Sequence, residues 1–486
     1  MDKIFHFIKR YLPRRFFSFL QPTYHFGLNW LGAALYHHPS ENLIVVGVTG
    51  TTGKTSSVFL IAKTLEAAGY KVGYTSTAMF NNGQKEWLND KKMTMVGRFF
   101  TQKILRQMVN NKCQYAIIET TSEGIKQFRH RFINYDILIF TGLYPEHIES
   151  HGSFESYKQA KGKLFAHLKN CPTKYVDDYK IEHHPKSELK KLNYNRVKKT
   201  IIANYDDDEA NYFLNFWAEQ KIGYTCGVHS DKSQELNYNE ELKQNIELIK
   251  CDNIIVSGQG TSFDVFLLSD FFAAHNKEHK AINIKLNLLG DFSAVNAMTA
   301  VTTGLSQDLS LKQIKKGLEN VKGITGRLEM INEGQHFTVV VDYAFEPKAV
   351  IKLYEAVSLI PHHKIIHVLG SAGGGRDKAR RPILGEIAGR SAAYVIITNE
   401  DPYDENPLII MEEVSLGAEK AGKIDKKDLF KILDRREAIK KALSLAGAGD
   451  ILLLTGKGSE QAICVARGEK IPWDDRRVVR EELLKL

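Results

Sequence analysis

At 486 residues the chain is too long for one ordinary hydrophobic core, and its 43% hydrophobic and 25% charged content excludes fibrous and disordered classes. No run approaches the roughly 20 apolar residues that span a bilayer, and the N-terminus lacks a signal-peptide core and cleavage site, so cytoplasmic residence is expected. A formal net charge of +9 without a nucleic-acid-binding module points to phosphates and carboxylates of small molecules rather than to nucleic acid. Cys113, Cys171, Cys226, Cys251 and Cys464 form no C-x-x-C pair, which argues against a zinc ribbon or a disulfide framework and leaves packing as their role.

The first forty residues set Phe5, Ile8, Tyr11, Leu12, Phe16, Phe19 and Leu20 beside Lys9, Arg10, Arg14 and Arg15, a spacing that predicts an amphipathic helix broken at Pro13. Docking of this face on the protein's own body is the first expectation, and contact with a membrane surface the second. From residue 43 the pattern turns α/β. A strand over 43–48 runs into Thr49-Gly50-Thr51-Thr52-Gly53-Lys54-Thr55-Ser56 and a helix over 54–68, stopped by Gly69. Bare N–H groups, a lysine and a hydroxyl at the mouth of a helix are what a nucleoside triphosphate with Mg2+ requires. The glycine spacing departs from the general phosphate-loop pattern, with Val48 where glycine is expected; the plain alternative is a glycine turn between strand and helix.

Strands are next predicted over Val72–Thr75, over 115–118 and over Ile137–Phe140, reading as buried parallel strands whose polar carboxyl ends line a site. Glu119, closing the second, can reach a metal held with the triphosphate, or else is a solvated strand-end glutamate. Glu146-His147-Ile148-Glu149-Ser150-His151-Gly152 raises zinc, but without a nearby cysteine or an H-E-x-x-H helix a Mg2+-linked or substrate-contacting role is the better expectation. Residues 180–285 are less regular, with strand-like pieces near 254–256 and 263–267, and read as an excursion of the same domain.

After Gly326 a second series begins, with strands over Thr338–Val341, Ile365–Leu369, Tyr394–Ile397 and Ile451–Leu454. A glycine-rich loop, 370–378, offers Arg376, Lys378 and the nearby Arg381 to carboxylate or phosphate. Loops 398–402 and 455–458 also follow strands, so all three are expected at one sheet edge. The expected fold is α/β: a short N-terminal segment (1–42), a central mononucleotide-binding domain with a parallel sheet (43–324) and a C-terminal Rossmann-like domain (325–486).

These motifs, in this order, resemble the Mur ligase family, ATP-dependent enzymes that build the peptidoglycan stem peptide, and most of all its branch that adds the third residue. The resemblance implies that Thr49 to Ser56 hold ATP and that Thr55 and Glu119 hold one Mg2+. It aligns Glu146-His147-x-x-x-His151-Gly152 and Tyr157-x-x-Ala160-Lys161 with a family motif whose histidine, here His147, binds a second Mg2+ and whose lysine, here Lys161, is carbamylated. Lys54, Glu119, His147 and Lys161 are then the catalytic set. Asn296, Arg327 in Gly326-Arg327-x-Glu329, and Asp342 in Val341-Asp342-Tyr343-Ala344 fall on the nucleotide side. Thr121, Ser122, His151, Arg376, Asp401, Lys457 and Glu460 fall on the substrate side, and Asp434-Arg435-x-x-Ala438-Ile439 completes the order.

The implied reaction joins a free amino acid to a UDP-N-acetylmuramoyl-peptide through an acyl phosphate, in a monomer. Some positions depart from the family pattern. About forty unlike residues stand in place of its nucleotide-sugar domain, Glu123, Phe345 and Ser459 replace histidines, and Glu146 replaces an aspartate. Tyr403 replaces the arginine that reads diaminopimelate, so that specificity does not carry over. Three other functions stay open: a related ligase on another acid, folylpolyglutamate synthase-like or lipid-linked; a nucleotide-binding protein that has lost ligation; and a basic nucleic-acid-stimulated NTPase.

Overall fold

The computed structural model describes residues 14–145, 151–177, 180–182, 195–227, 246–269, 272 and 280–486. Residues 1–13, with the expected break at Pro13, lie outside the described residues, and helix α1 (Arg14–Leu35) runs through Pro22. The proline removes one rung of the helix ladder, and tertiary contacts hold the helix in place. Phe26 packs edge-on against Phe128 and Phe132, and Asn29 Nδ2 donates to the Gln127 carbonyl at 2.9 Å. Phe26 and Asn29 thus lie against the protein's own body, while Trp30, Leu31 and Leu35 stay exposed; the apolar face expected from Phe5, Ile8, Tyr11, Leu12, Phe16, Phe19 and Leu20 lies outside the described residues and side chains.

Strand β1 (Ile44–Thr49) is followed by α2 (Lys54–Ala67), β2 (Val72–Thr75), β3 (Met79–Asn81), β4 (Glu86–Leu88), α3 (Arg98–Asn110), β5 (Tyr115–Glu119), α4 (Ser122–Lys126), β6 (Ile137–Phe140) and α5 (Phe154–Leu168). Then come β7 (Thr200–Asn204), β8 (Gln220–Thr225), β9 (Glu247–Ser257), β10 (Gly260–Leu267), β11 (Ala281–Leu286), α6 (Asp291–Ser306) and α7 (Leu311–Glu319). These strands form one 11-stranded sheet in the order β11-β10-β9-β8-β7-β6-β1-β5-β2-β3-β4. Its centre is parallel and both edges are antiparallel. Strands β1 and β5 each extend one residue beyond their predicted ends, because Val48 pairs with Glu119 and Thr49 with Phe140. That register brings the carboxyl ends of β1, β5 and β6 level.

Both faces of β1 are covered, which is why it reads as an unbroken apolar run. Val46 and Val48 pack with Ile61 and Leu65 of α2, Met298 and Val301 of α6, and Ile314 and Leu318 of α7. Val45 packs to the other side, with Ile104 and Leu105 of α3 and Leu164 and Phe165 of α5. Each such side chain contributes about 1.5–3 kcal/mol on full burial. At the amino end of β6, Asp136 pairs with Lys174 at 2.5 Å and Lys199 at 2.8 Å, all three buried. Backbone partners complete the cluster: Asp136 accepts from Val45 N, and the two ammonium groups donate to the carbonyls of Leu43, Asn134 and Tyr135. Buried charges persist only when paired and hydrogen-bonded in this way, and desolvation still pushes Lys174 down to about 8.

The second sheet is built from β12 (Glu329–Ile331), β13 (Thr338–Val341), β14 (Ile365–Leu369), β15 (Tyr394–Ile397), β16 (Leu429–Lys431) and β17 (Ile451–Leu454), in the order β12-β13-β17-β14-β15-β16. All its pairings are parallel except β12 with β13. Helices α8 (Pro347–Val357), α9 (Arg380–Ser391), α10 (Pro407–Lys420), α11 (Arg435–Leu445) and α12 (Asp475–Leu483) flank it. The chain is thus an α/β protein with two mostly parallel sheets. All five cysteines are buried and unpaired, consistent with packing. Among the described residues no helix is long and apolar enough to cross a membrane.

Candidate functional site

Residues 50–53 carry the chain from the end of β1 into α2. Gly53 adopts a φ of 79°, and a Cβ there would run into Asn296 Oδ1 of α6, so only glycine fits. No side chain caps α2, which leaves its first N–H groups for a ligand oxygen. The loop is fastened to the end of β6, since Thr51 N donates to the Gly142 carbonyl at 2.8 Å and Thr141 Oγ1 to the Thr52 carbonyl at 2.7 Å. Lys54 Nζ donates to the carbonyls of Gly50 and Thr51 at 3.0 and 2.7 Å. Lys161, buried on α5, donates to the same Gly50 carbonyl at 2.9 Å and approaches Thr49 Oγ1 at 3.5 Å. Two ammonium groups on one carbonyl concentrate positive potential on the loop.

Thr55 Oγ1 donates to Glu119 Oε2 at 2.9 Å, so the hydroxyl at the head of α2 touches the carboxylate at the end of β5. A hydroxyl and a carboxylate beside a phosphate loop form an all-oxygen set that Mg2+ can complete with water and substrate phosphates. Thr77, just past β2, holds the carboxylate with its N at 2.7 Å from Oε2 and its Oγ1 at 2.9 Å from Oε1. Nothing in the sequence singled out Thr77, although its place beyond a parallel strand was a usable signal. Among the described residues no three His, Cys, Asp or Glu side chains cluster as a metal site. His147 lies outside the described residues.

Past the end of β5, Thr121 Oγ1 caps α4 by accepting from Gly124 N at 3.2 Å. Ser122 Oγ lies 3.1 Å from His151 Nε2. Burial, reinforced by the Lys126 charge, lowers the His151 pKa, keeping the ring neutral with one donor and one acceptor nitrogen. The ring packs on Tyr157, whose hydroxyl is 3.4 Å from Thr51 Oγ1. Thr121, Ser122 and His151 thus stand next to the loop that carries Lys54.

At the carboxyl edge of the second sheet the three loops meet. His367 Nε2 on β14 lies 2.9 Å from Thr455 Oγ1, and the buried Arg435 donates to the carbonyls of Asn399 and Thr455 while gripping Asp475 at 2.8 and 2.6 Å. Lys457 Nζ pairs with Asp401 at 2.9 Å and Glu460 at 2.8 Å. Arg376 stands among Tyr403, Tyr343 and Glu460. Arg381, expected to be offered to a ligand, is instead fully buried between Glu413 at 2.5 Å and Glu405 at 3.0 Å and donates to the Ala372 carbonyl. Its position in the first turn of α9, against α10, makes it scaffold for the glycine-rich loop. Lys378 is exposed and 3.4 Å from Glu405.

Two links, beside others such as Lys470 Nζ donating to the Lys91 carbonyl at 3.2 Å, join the sheets at this edge. Arg327 Nη2 donates to Thr55 Oγ1 at 3.1 Å, with its guanidinium 4.4 Å over the Tyr343 ring. Asp342 orders this stretch by accepting from Leu328 N at 2.7 Å and Ala344 N at 2.6 Å. The second link, unforeseen from sequence, is Lys92, whose Nζ lies 2.6 Å from Asp401 Oδ2 and 2.5 Å from Glu460 Oε2.

Family models describing the Mur ligase middle domain and the Mur ligase glutamate ligase domain match residues 48–198 and 326–458. The chain is 34% identical over 460 residues to a UDP-N-acetylmuramyl-tripeptide synthetase of Roseiflexus sp., covering 94% of this chain and 81% of the relative. It is 27% identical over 448 residues to a UDP-N-acetylmuramoyl-L-alanyl-D-glutamate–2,6-diaminopimelate ligase of Bacillus cereus, covering 92% and 79%. In fold it is similar to Mycobacterium tuberculosis folylpolyglutamate synthase complexed with ADP, with a TM-score of 0.60, 13% identity, and 94% and 95% of the two chains covered.

Proposed function

The chain belongs to the Mur ligase family of ATP-dependent ligases, and from that premise we propose that it joins a free amino acid to a UDP-N-acetylmuramoyl-peptide in peptidoglycan precursor synthesis. The observation that carries this is the meeting of two half-sites: the loop with Lys54, Thr55, Glu119 and Lys161 on one sheet, and Asp401, Lys457 and Glu460 on the other, linked through Arg327 and Lys92. A phosphate loop alone would serve hydrolysis; ligation needs a second place for an amine. The likeness to folylpolyglutamate synthase is one of fold at 13% identity and does not favour that acceptor.

A carboxylate is a poor electrophile, so an acceptor carboxylate oxygen first attacks the γ-phosphorus of ATP, the bridge to the β-phosphate breaks, and ADP leaves. The amine nitrogen then attacks the acyl carbon, phosphate departs with the bonding electrons, and the new amide nitrogen loses a proton. Lys54, with Gly50 to Gly53 and Ser56, holds the phosphates; Asn296, Arg327 and Asp342 face the nucleotide; Thr121, Ser122 and His151 face the acceptor. Mg2+ held by Thr55 and Glu119, and a second ion held by His147 and a carbamylated Lys161, would neutralise charge on the transferring group. Arg376, Asp401, Lys457 and Glu460 order the amino acid. Contact between the sheets through Arg327 keeps water from the acyl phosphate.

Residues 43–324 form the ATP-binding domain and 325–486 the domain that receives the amino acid. Action as a monomer in the cytoplasm, where ATP and a nucleotide-linked acceptor are available, completes this reading. In the N-terminal segment, exposed Trp30, Leu31 and Leu35 on α1 support a second reading, contact with a membrane surface.

Phosphate release from ATP is expected only when both UDP-N-acetylmuramoyl-dipeptide and an amino acid are present, with a product whose mass is their sum less water. Release unchanged by omitting both, or product only with a folate or lipid-linked acceptor, would overturn the assignment.

A further inference from the structure

Lys92 sits in the turn after β4, in a left-handed backbone conformation with φ 55°. Asn89 fixes that turn to the first sheet: its Nδ2 donates to the Ser76 and Met93 carbonyls at 2.8 and 3.0 Å, and its Oδ1 accepts from Lys91 N at 2.9 Å. From there the Lys92 side chain, 5% exposed, crosses to the other sheet and ends between two carboxylates, Asp401 and Glu460. Both are already served from within their own sheet. Lys457 Nζ reaches Asp401 Oδ1 and Glu460 Oε2 and also donates to the Ala462 carbonyl at 2.7 Å, and Cys464 N donates to Asp401 Oδ1 at 2.7 Å. Tyr343 OH stands 3.4 Å from Glu460 Oε1. With Lys92 in place, every oxygen of the pair has a partner.

Without Lys92, this pair would present one carboxylate oxygen of Asp401 and a share of Glu460 to whatever sits at the amine-receiving edge, and such a pair attracts a second ammonium. We propose that Lys92 fills this position itself, so that the enzyme selects an amino acid whose side chain carries no ammonium. This inference rests on the ligase assignment above. Lys92 is anchored to the first sheet, so it enters the carboxylate pair only when the two sheets come together. A diamino acid with its side-chain ammonium on Asp401 and Glu460 would meet the Lys92 charge at contact distance in a site shielded from water, where like charges repel strongly. A neutral or acidic side chain leaves Lys92 its place, and Arg376 beside Glu460 remains for a carboxylate. The device rejects one class of substrate by repulsion as well as accepting another.

The test measures kcat/KM with ATP and UDP-N-acetylmuramoyl-dipeptide for alanine, glutamate, lysine, ornithine and diaminopimelate, using the full-length protein and its Lys92→Met and Lys92→Arg variants. The unaltered enzyme is expected to prefer alanine or glutamate over lysine by about a hundredfold or more. Lys92→Met should raise the lysine-to-alanine ratio by at least about tenfold, and Lys92→Arg, which keeps the charge, should leave it near the original. Efficient use of lysine, ornithine or diaminopimelate by the unaltered enzyme would overturn the proposal, as would an unchanged ratio in a Lys92→Met variant that melts like the parent. If Lys92→Met fails to fold, the unaltered enzyme's own ranking of the five amines decides. Absence of product with every amine would overturn the ligase assignment itself, a result distinct from activity with the wrong amines.

Discussion

Replacing Lys54 with methionine is expected to lower kcat for ATP-dependent ligation by about a thousandfold or more while leaving thermal unfolding close to that of the parent. The ammonium sits at the mouth of α2, held by the Gly50 and Thr51 carbonyls, beside N–H groups that no side chain caps. A triphosphate entering there places charge in the transition state next to Lys54, so its loss removes stabilisation at the moment of transfer. Methionine keeps the length of the stem and removes only the charge. Product formation followed by mass, at saturating ATP, is the readout; retention of a tenth or more of the parent rate would take Lys54 out of the phosphate site.

Replacing Lys161 with alanine is expected to cost about a hundredfold to a thousandfold in rate, with part of it restored by a small carboxylic acid such as formate. Lys161 is buried and shares the Gly50 carbonyl with Lys54. Two ammonium groups so placed repel. Addition of CO2 to the neutral amine would form an N–C bond, release a proton and turn one of those cations into a carboxylate beside the loop. A carbamate at this position would relieve a local repulsion as well as supply an oxygen donor for a metal. Formate entering the space left by the shortened side chain would replace that carboxylate without restoring the amine. Full activity of the alanine variant would exclude the role, and a loss that no carboxylate mends would exclude the carbamate.

Much of this was legible in the chain. Thr338–Val341, Ile365–Leu369, Tyr394–Ile397 and Ile451–Leu454 are strands over the ranges their composition predicts, because strands covered on both faces are unbroken apolar runs. The stretch between residues 195 and 286 was harder. Its strands β7 to β11 continue the first sheet, yet β9 and β11 alternate buried and exposed residues and so lack that signal. Pro22 lies within α1, where contacts to Phe128, Phe132 and Gln127 hold the helix despite the missing rung. Arg381 looks like its neighbour Arg376 in the sequence, and only the packing of α9 on α10 turns it toward Glu405 and Glu413. Lys92 could not be found at all from local pattern, since its partners lie 309 and 368 residues away and reach it only through the meeting of two sheets.

The central claim is that the two half-sites together activate an acceptor carboxylate by phosphorylation. Ligation run with UDP-N-acetylmuramoyl-dipeptide labelled with 18O in its reacting carboxylate, followed by mass analysis of the released phosphate, tests it most directly. The account predicts that each phosphate formed carries one oxygen from the acceptor. Amide product accompanied by phosphate free of label would contradict it.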